Sequence, residues 1–369
     1  MNRLFRWDQT GLFLLALAAG ILPFAVPEVC AAALREGLTL CSGPLLLSLF
    51  PFLVVSRLLI QCPESDLLAL PFRLAAWGIG IRTPCAARVL CIGFLGGFAP
   101  AASAAAQAVR TGQLTAEEAD ALLPACICSG PSFVVLTVGQ SLLGSAELGV
   151  LLFASQITAN YLTAALLNRF AGVRSVKPGS AAPASPAPPR LDEILADAAI
   201  TYCKLCGFIL FFRMLAAGAG ALLPAGAGTL CSILLEVCSG CDLASRTGRW
   251  GSLLCCAALS VQGLSVLLQV RTICPPEMNL RPLYRARMLH LPLSLALFYL
   301  LLPGGEADVF STLSARVLLM RRVPPDCALL VFAVCCMAAC TLRSGIRQVE
   351  QKQMARNAGG CCINSKTLL

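Results

Sequence analysis

The sequence predicts an all-α polytopic membrane protein of about eight to ten transmembrane or re-entrant helices. Three observations predict it. Only 13% of the 369 residues are charged, while 57% are hydrophobic; a soluble domain carries about 25% charged residues to cover its surface. The mean hydropathy is +0.79. Uncharged runs then follow one another at 11–27, 37–56, 89–109, 121–146, 148–168, 214–235, 250–270, 288–305 and 327–342, most of them near the roughly 20 residues a spanning helix needs.

Taken in order, the first run follows Arg3 and Arg6 and precedes Cys30-Ala-Ala-Ala, a pattern shared with cleaved signal peptides. An uncleaved first helix is expected, because the chain keeps returning to the membrane. Residues 1–170 form the N-terminal membrane half. The stretch 171–190, rich in Pro, Ala and Ser, reads as a linker without helical periodicity. Residues 191–342 form the C-terminal half, with a leading helix expected near 205–222, and 343–369 a basic tail. Arg169, Arg174, Lys177 and Arg190 around the linker, and the tail's own Lys and Arg residues, place both on the cytoplasmic side by the positive-inside rule, and the N-terminus with them.

The formal charge is +9. The basic residues stand singly between apolar runs and in the tail, with no basic stripe interleaved with aromatics, so nucleic acid is not an expected partner. The 21 Cys fall mostly inside apolar runs, as Cys126, Cys128, Cys255, Cys256, Cys335 and Cys336 do, where a thiol acts as a small hydrophobe. Two C-x-x-C spacings, Cys203/Cys206 and Cys238/Cys241, sit in different segments of a chain with one His. No metal site, cofactor or catalytic constellation is expected: P-loop, G-x-S-x-G, H-E-x-x-H and dinucleotide patterns are missing.

Both halves carry the same order of features: a leading helix, a run broken at glycine (Gly96-Gly97; Ser239-Gly240), a second broken run (Ser129-Gly130-Pro131; Gln262-Gly263-Leu264-Ser265) and a closing apolar helix. The order suggests an internal duplication, a design that recurs in transporters with the site between the halves. At Cys128-Ser129-Gly130-Pro131, Pro131 lacks an N–H and disfavours helix at Gly130. A break in lipid must be buried in protein or line a wet cavity. It either binds a polar solute or lets helices pack closely. Gly97 and Pro100, followed by small residues Ala101 to Ala106, give the same choice.

Glu236, at the end of a long apolar run, is either a functional carboxylate held within the membrane or an interfacial one near Asp242, Arg246 and Arg249; a mid-membrane carboxylate costs about 2.5–3.5 kcal/mol. Gln262, Ser265 and Gln269 are expected on one helical stripe, either as interhelical hydrogen-bonding groups or as ligands for a neutral solute. Thr115 and Glu118 fit a capping box that starts a solvated helix. His290 reads as structural or interfacial.

The runs Gly112-Gln-Leu-Thr-Ala-Glu-Glu-Ala119, Cys128-Ser-Gly-Pro131 and Val138-Gly139, then Leu235-Glu-Val-Cys-Ser-Gly240, Gly263-Leu-Ser-Val-Leu-Leu-Gln-Val270 and Arg285…Leu289-His290, resemble the YlbJ-like sporulation branch of the nucleoside-recognition (Gate) domain membrane family over roughly 40–305. The resemblance implies a bacterial cytoplasmic-membrane protein made during spore formation, with a fold similar to that of concentrative nucleoside transporters. The expected partners are the lipid bilayer, a small polar solute (nucleoside-like) or an ion, and a second copy of the chain. The site would be lined by Gly97, Pro100, Ser129, Gly130, Pro131, Glu236, Ser239, Gly240, Gln262, Ser265 and Gln269. A non-transporting scaffold for spore-envelope assembly is the alternative expectation.

Overall fold

The computed structural model describes residues 9–62, 65–171 and 191–302. The linker, the run 327–342 and the tail therefore lie outside the described residues. Helix dominates, and no strand occurs among the described residues. Three helical stretches there are long and apolar enough to cross a membrane, 146–171, 191–222 and 248–273, with a fourth if the bent pair Leu15–Ala25 and Pro27–Ser42 counts as one span. Large apolar side chains face outward, among them Phe24 and Phe170 at 89% and 82% exposure. In water such surface is a liability; against lipid it is the required solvent-facing chemistry.

Helix α1 (Gln9–Ala25) turns through 108° into α2 (Pro27–Ser42). The run 37–56 is not one helix: it breaks at Gly43, and Pro44, which needs no N–H partner at a helix start, opens α3 (Pro44–Gln61). Short helices α4 (Ser65–Leu68) and α5 (Leu70–Gly78) lead to α6 (Pro84–Gly96) and α7 (Phe98–Arg110). Thr115 caps α8 (Ala116–Cys126) with the full reciprocal capping box to Glu118. A π-helix (Ser132–Leu142) follows, then α9 (Ala146–Ala171).

The second half begins earlier than the apolar run suggests. Helix α10 spans Leu191–Leu222, because Asp192 and Glu193 suit a helix N-terminus and Ile194, Ala198, Tyr202, Leu205 and Ile209 form a buried stripe at i+3/i+4 spacing. Then come α11 (Ala225–Leu235), α12 (Val237–Ser245), a 3₁₀ turn (Gly248–Trp250), α13 (Gly251–Val261), α14 (Gly263–Ile273) and α15 (Arg281–Leu301).

Polar side chains join these helices inside the apolar packing. Tyr202 donates its hydroxyl proton to the Cys41 carbonyl, and Arg213 pairs with Glu36 at 2.7 Å, tying α10 to α2. Gln156 on α9 donates to Ser260 Oγ at 2.9 Å, and Ser260 and Ser294 hydroxyls lie 2.5 Å apart. His290 is 1% exposed and its Nε2 meets the Gln156 carbonyl at 3.2 Å, so it is a buried connector and not an interfacial group. Asn168 Nδ2 donates to the carbonyls of Ile79 (2.9 Å) and Ala121 (3.1 Å). Asn168→Ala would leave both buried acceptors without that donor and is expected to cost about 2 kcal/mol, read as an earlier midpoint in detergent-solubilised unfolding.

Candidate solute cleft at four chain breaks

Four interruptions define the centre of the protein. Helices α6 and α7 pack on each other across Gly97 alone, so the chain reverses there; a Cβ on Gly93 would lie 3.2 Å from that of Ala101. Likewise α11 and α12 reverse at Glu236, not at the expected Ser239-Gly240, which lies inside α12 because the Glu236 side chain caps that helix. There a Cβ on Gly240 would reach 2.8 Å from Ile233 Cα, so the glycine serves close packing and not the break. The other two interruptions are the non-helical segment between α8 and the π-helix, 127–130, and the point between α13 and α14. There Gln262 and Gly263 both take left-handed backbone, φ +67° and +68°.

The breaks pack in pairs. A Cβ on Gly97 would stand 2.7 Å from the Gly130 nitrogen, so the α6–α7 tip rests on the break after α8. A Cβ on Gly263 would stand 3.0 Å from the Glu236 nitrogen, so the α11–α12 tip rests on the break after α13. Gln262 Nε2 then reaches Ser129 Oγ at 3.3 Å and links the two pairs.

A cleft of about 70 Å³ opens where they meet, room for several waters at about 10–15 Å³ each. Gly97, Ser129, Gly130, Glu236 and Gln269 line it, with Phe98 and Phe133 supplying apolar wall. Gln262 and Ser265 stand behind it: Gln262 bonds to Ser129, and Ser265 Oγ accepts from Gln269 Nε2 at 2.9 Å. Pro100 packs in α7 against Gly96, Pro131 starts the π-helix, Gly240 packs on Ile233, and Ser239 faces a separate cavity. The expected single stripe of Gln262, Ser265 and Gln269 is corrected in part. Ser265 and Gln269 share a face, but α13 stops at Val261 and α14 restarts at Gly263, so Gln262 belongs to the break.

Glu236 is 2% exposed. Its carboxylate accepts the N–H of Cys238 (2.9 Å) and of Ser239 (2.7 Å), capping α12. A buried anion is tolerated there because the helix N-terminus supplies donors and about half a positive charge. A carboxylate has about four acceptor positions, and the cap uses two. Two more buried acceptors, Gln262 Oε1 and Gln269 Oε1, have no partner. Acceptor positions without a protein partner therefore gather at and behind the cleft.

Two further cavities lie on either side. One of about 150 Å³ is lined by Arg57, Arg110, Asp197, Lys204 and Gln269; the other, of about 500 Å³, by Glu36, Arg213, Ser239, Asp242 and Arg246. Along α10 the first covers Asp197 to Phe208, the cleft touches Ile209, and the second covers Arg213 to Ala221. The three follow one helix in sequence. No group of three or more His, Cys, Asp or Glu among the described residues is placed to hold a metal.

Sequence reasoning missed Arg287, Gln156 and Ser294, which carry the polar interior around the breaks. Arg287 was visible only as one of several basic residues in Arg285-Ala-Arg287. Its burial depends on α15 packing against α8, α9 and α13, which spacing does not reveal. Comparison with known families, curated proteins and solved structures finds no match to this chain.

Proposed function

We propose that this chain moves or gates a small polar solute across a membrane, in a cleft built by two pseudo-repeated halves of the nucleoside-recognition (Gate) type. Each half supplies a hairpin tip and a broken helix, and the four meet at one point. The observation that carries the reading is the sequence of three cavities along α10, with the acceptor-rich cleft in the middle. A solute-handling membrane protein needs a central site reachable from both faces; packing alone does not.

The chemistry of the site selects the solute. Glu236 and Gln269 Oε1 line the cleft with acceptor positions to spare, so the ligand class is a neutral or cationic molecule carrying hydroxyl or amino groups, as a nucleoside does. The side bearing Arg57, Arg110 and Lys204 is assigned to the cytoplasm by its excess of basic residues. The bacterial cytoplasmic membrane and a role in spore formation follow only from the resemblance of the motifs to the YlbJ-like branch.

Gln262 provides the test. A non-glycine residue at φ +67° stores about 1–3 kcal/mol of backbone strain, and such strain gathers at functional sites. Gln262→Gly relieves that strain but gives up the Nε2 bonds to Ser129 and Leu259, worth about 0.5–1.5 kcal/mol each, so the two effects offset. The variant is expected to melt close to the natural protein while losing the shift produced by the best ligand from a nucleoside panel on purified protein. If no nucleoside or polyol binds the natural protein, and Gln262→Gly merely lowers stability, the breaks are packing devices and the scaffold reading replaces this one.

A further inference from the structure

Arg287 is the most deeply placed cation in the interior around the breaks. It is 7% exposed, and among the described residues no carboxylate pairs with it. Burying a guanidinium without a counter-ion is costly, so something else must stabilise it. Its Nη2 donates to the carbonyl of Ile127, the residue that ends α8. Its Nη1 donates to the carbonyl of Ser260 at 3.4 Å, in the last turn of α13. Nε is buried without a partner.

Both acceptors are therefore half-helix C-termini. Each such end leaves carbonyls without an intrahelical partner and carries about half a negative charge. Two of them facing one point amount to about one negative charge, which a single guanidinium neutralises. In broken-helix membrane proteins, freed carbonyls and half-helix C-termini are where small inorganic cations bind. The planar fork of arginine can reach two carbonyls at once, which the point charge of lysine does less well.

We infer that Arg287 is a tethered internal cation: its guanidinium occupies the point where the C-terminal ends of α8 and α13 converge and takes the place of a bound inorganic ion. It acts as a positioning residue. It fixes the broken ends that set Ser129 and Gln262, and it ties both to α15. The consequence is that this junction needs no sodium or potassium, whatever solute the cleft accepts. The inference does not depend on the solute reading and would outlast its failure.

The test uses the full-length protein in detergent. Melting is followed while choline is replaced by lithium, sodium or potassium at constant ionic strength. The natural protein is expected to melt at one temperature throughout. Arg287→Met is expected to melt well below it, Arg287→Lys between the two, and Arg287→Ala to recover about half or more of its loss in millimolar methylguanidinium but not in equimolar urea. A saturable, ion-specific rise in the natural protein overturns the inference. So does an Arg287→Met variant as stable as the natural chain, a lysine variant no better than methionine, or an alanine variant deaf to methylguanidinium. If the alanine variant cannot be purified, the ion series and the lysine–methionine pair decide.

Discussion

Gly97→Ala is expected to destabilise the protein by about 4 kcal/mol, enough to leave little folded material after extraction into detergent. Two costs add. The backbone at Gly97, φ +80° and ψ −164°, lies in a region open essentially to glycine, where another residue pays about 1–3 kcal/mol. The added methyl would also stand 2.7 Å from the Gly130 nitrogen, and overpacking of this kind costs about 1–3 kcal/mol. Gly112→Ala is the control. Its φ is +69° with nothing within 4 Å of the new Cβ, so only the conformational cost applies, about 1 kcal/mol. Midpoints of thermal or SDS unfolding read the difference. Equal losses at the two positions would show that the tip of the α6–α7 hairpin does not rest on the break after α8.

Replacing Glu236 is expected to separate two duties of one side chain. Glu236→Ala removes the cap of α12 and leaves the part-buried N–H groups of Cys238 and Ser239 without acceptors. A lost cap costs about 0.5–2 kcal/mol and an unsatisfied buried donor about 1–3 kcal/mol, so a loss near 3 kcal/mol is expected. Aspartate is a good N-cap, and Glu236→Asp should restore most of that stability. It shortens the reach toward the cleft by one methylene, however, and ligand affinity should stay at least about tenfold below the natural value, the counterpart of about 1.4 kcal/mol. Thermal unfolding and calorimetric titration on the same samples measure both. Full recovery of affinity with aspartate would reduce Glu236 to a cap.

The interruptions were legible because glycine and proline act locally. Gly96-Gly97, Gly130-Pro131 and Gln262-Gly263 break helix for reasons written in their own backbones, and the Thr115–Glu118 box needs only its four residues. What was not legible depends on partners far away in the chain. Nothing near Gly97 says that Gly130 lies against it, and nothing near Glu236 says that Gly263 does. Glu236 looked like a charge in search of a function; its acceptance of two N–H groups two and three residues ahead follows from the reversal at that point, which the apolar run hides. Gln262 was placed on a helical stripe because periodicity assumes a continuous helix, and a left-handed pair of residues ends that assumption. The π-helix from Ser132 to Leu142 leaves no compositional trace either. Arg287 was invisible as an interior group because its environment comes from helices 27 and 160 residues away in sequence.

The two outer cavities along α10 also have an electrical meaning. Lys204 lines one and Arg213 the other, nine residues apart, or about 14 Å of helix. A plain bilayer insulates across about 30 Å of hydrocarbon. If water fills both cavities, the voltage across the membrane falls over roughly half that distance, centred on Ile209 and the cleft beside it. A charge crossing that short gap would still exchange the full 2.3 kcal/mol or so per 100 mV, within a field about twice as steep as in bare lipid.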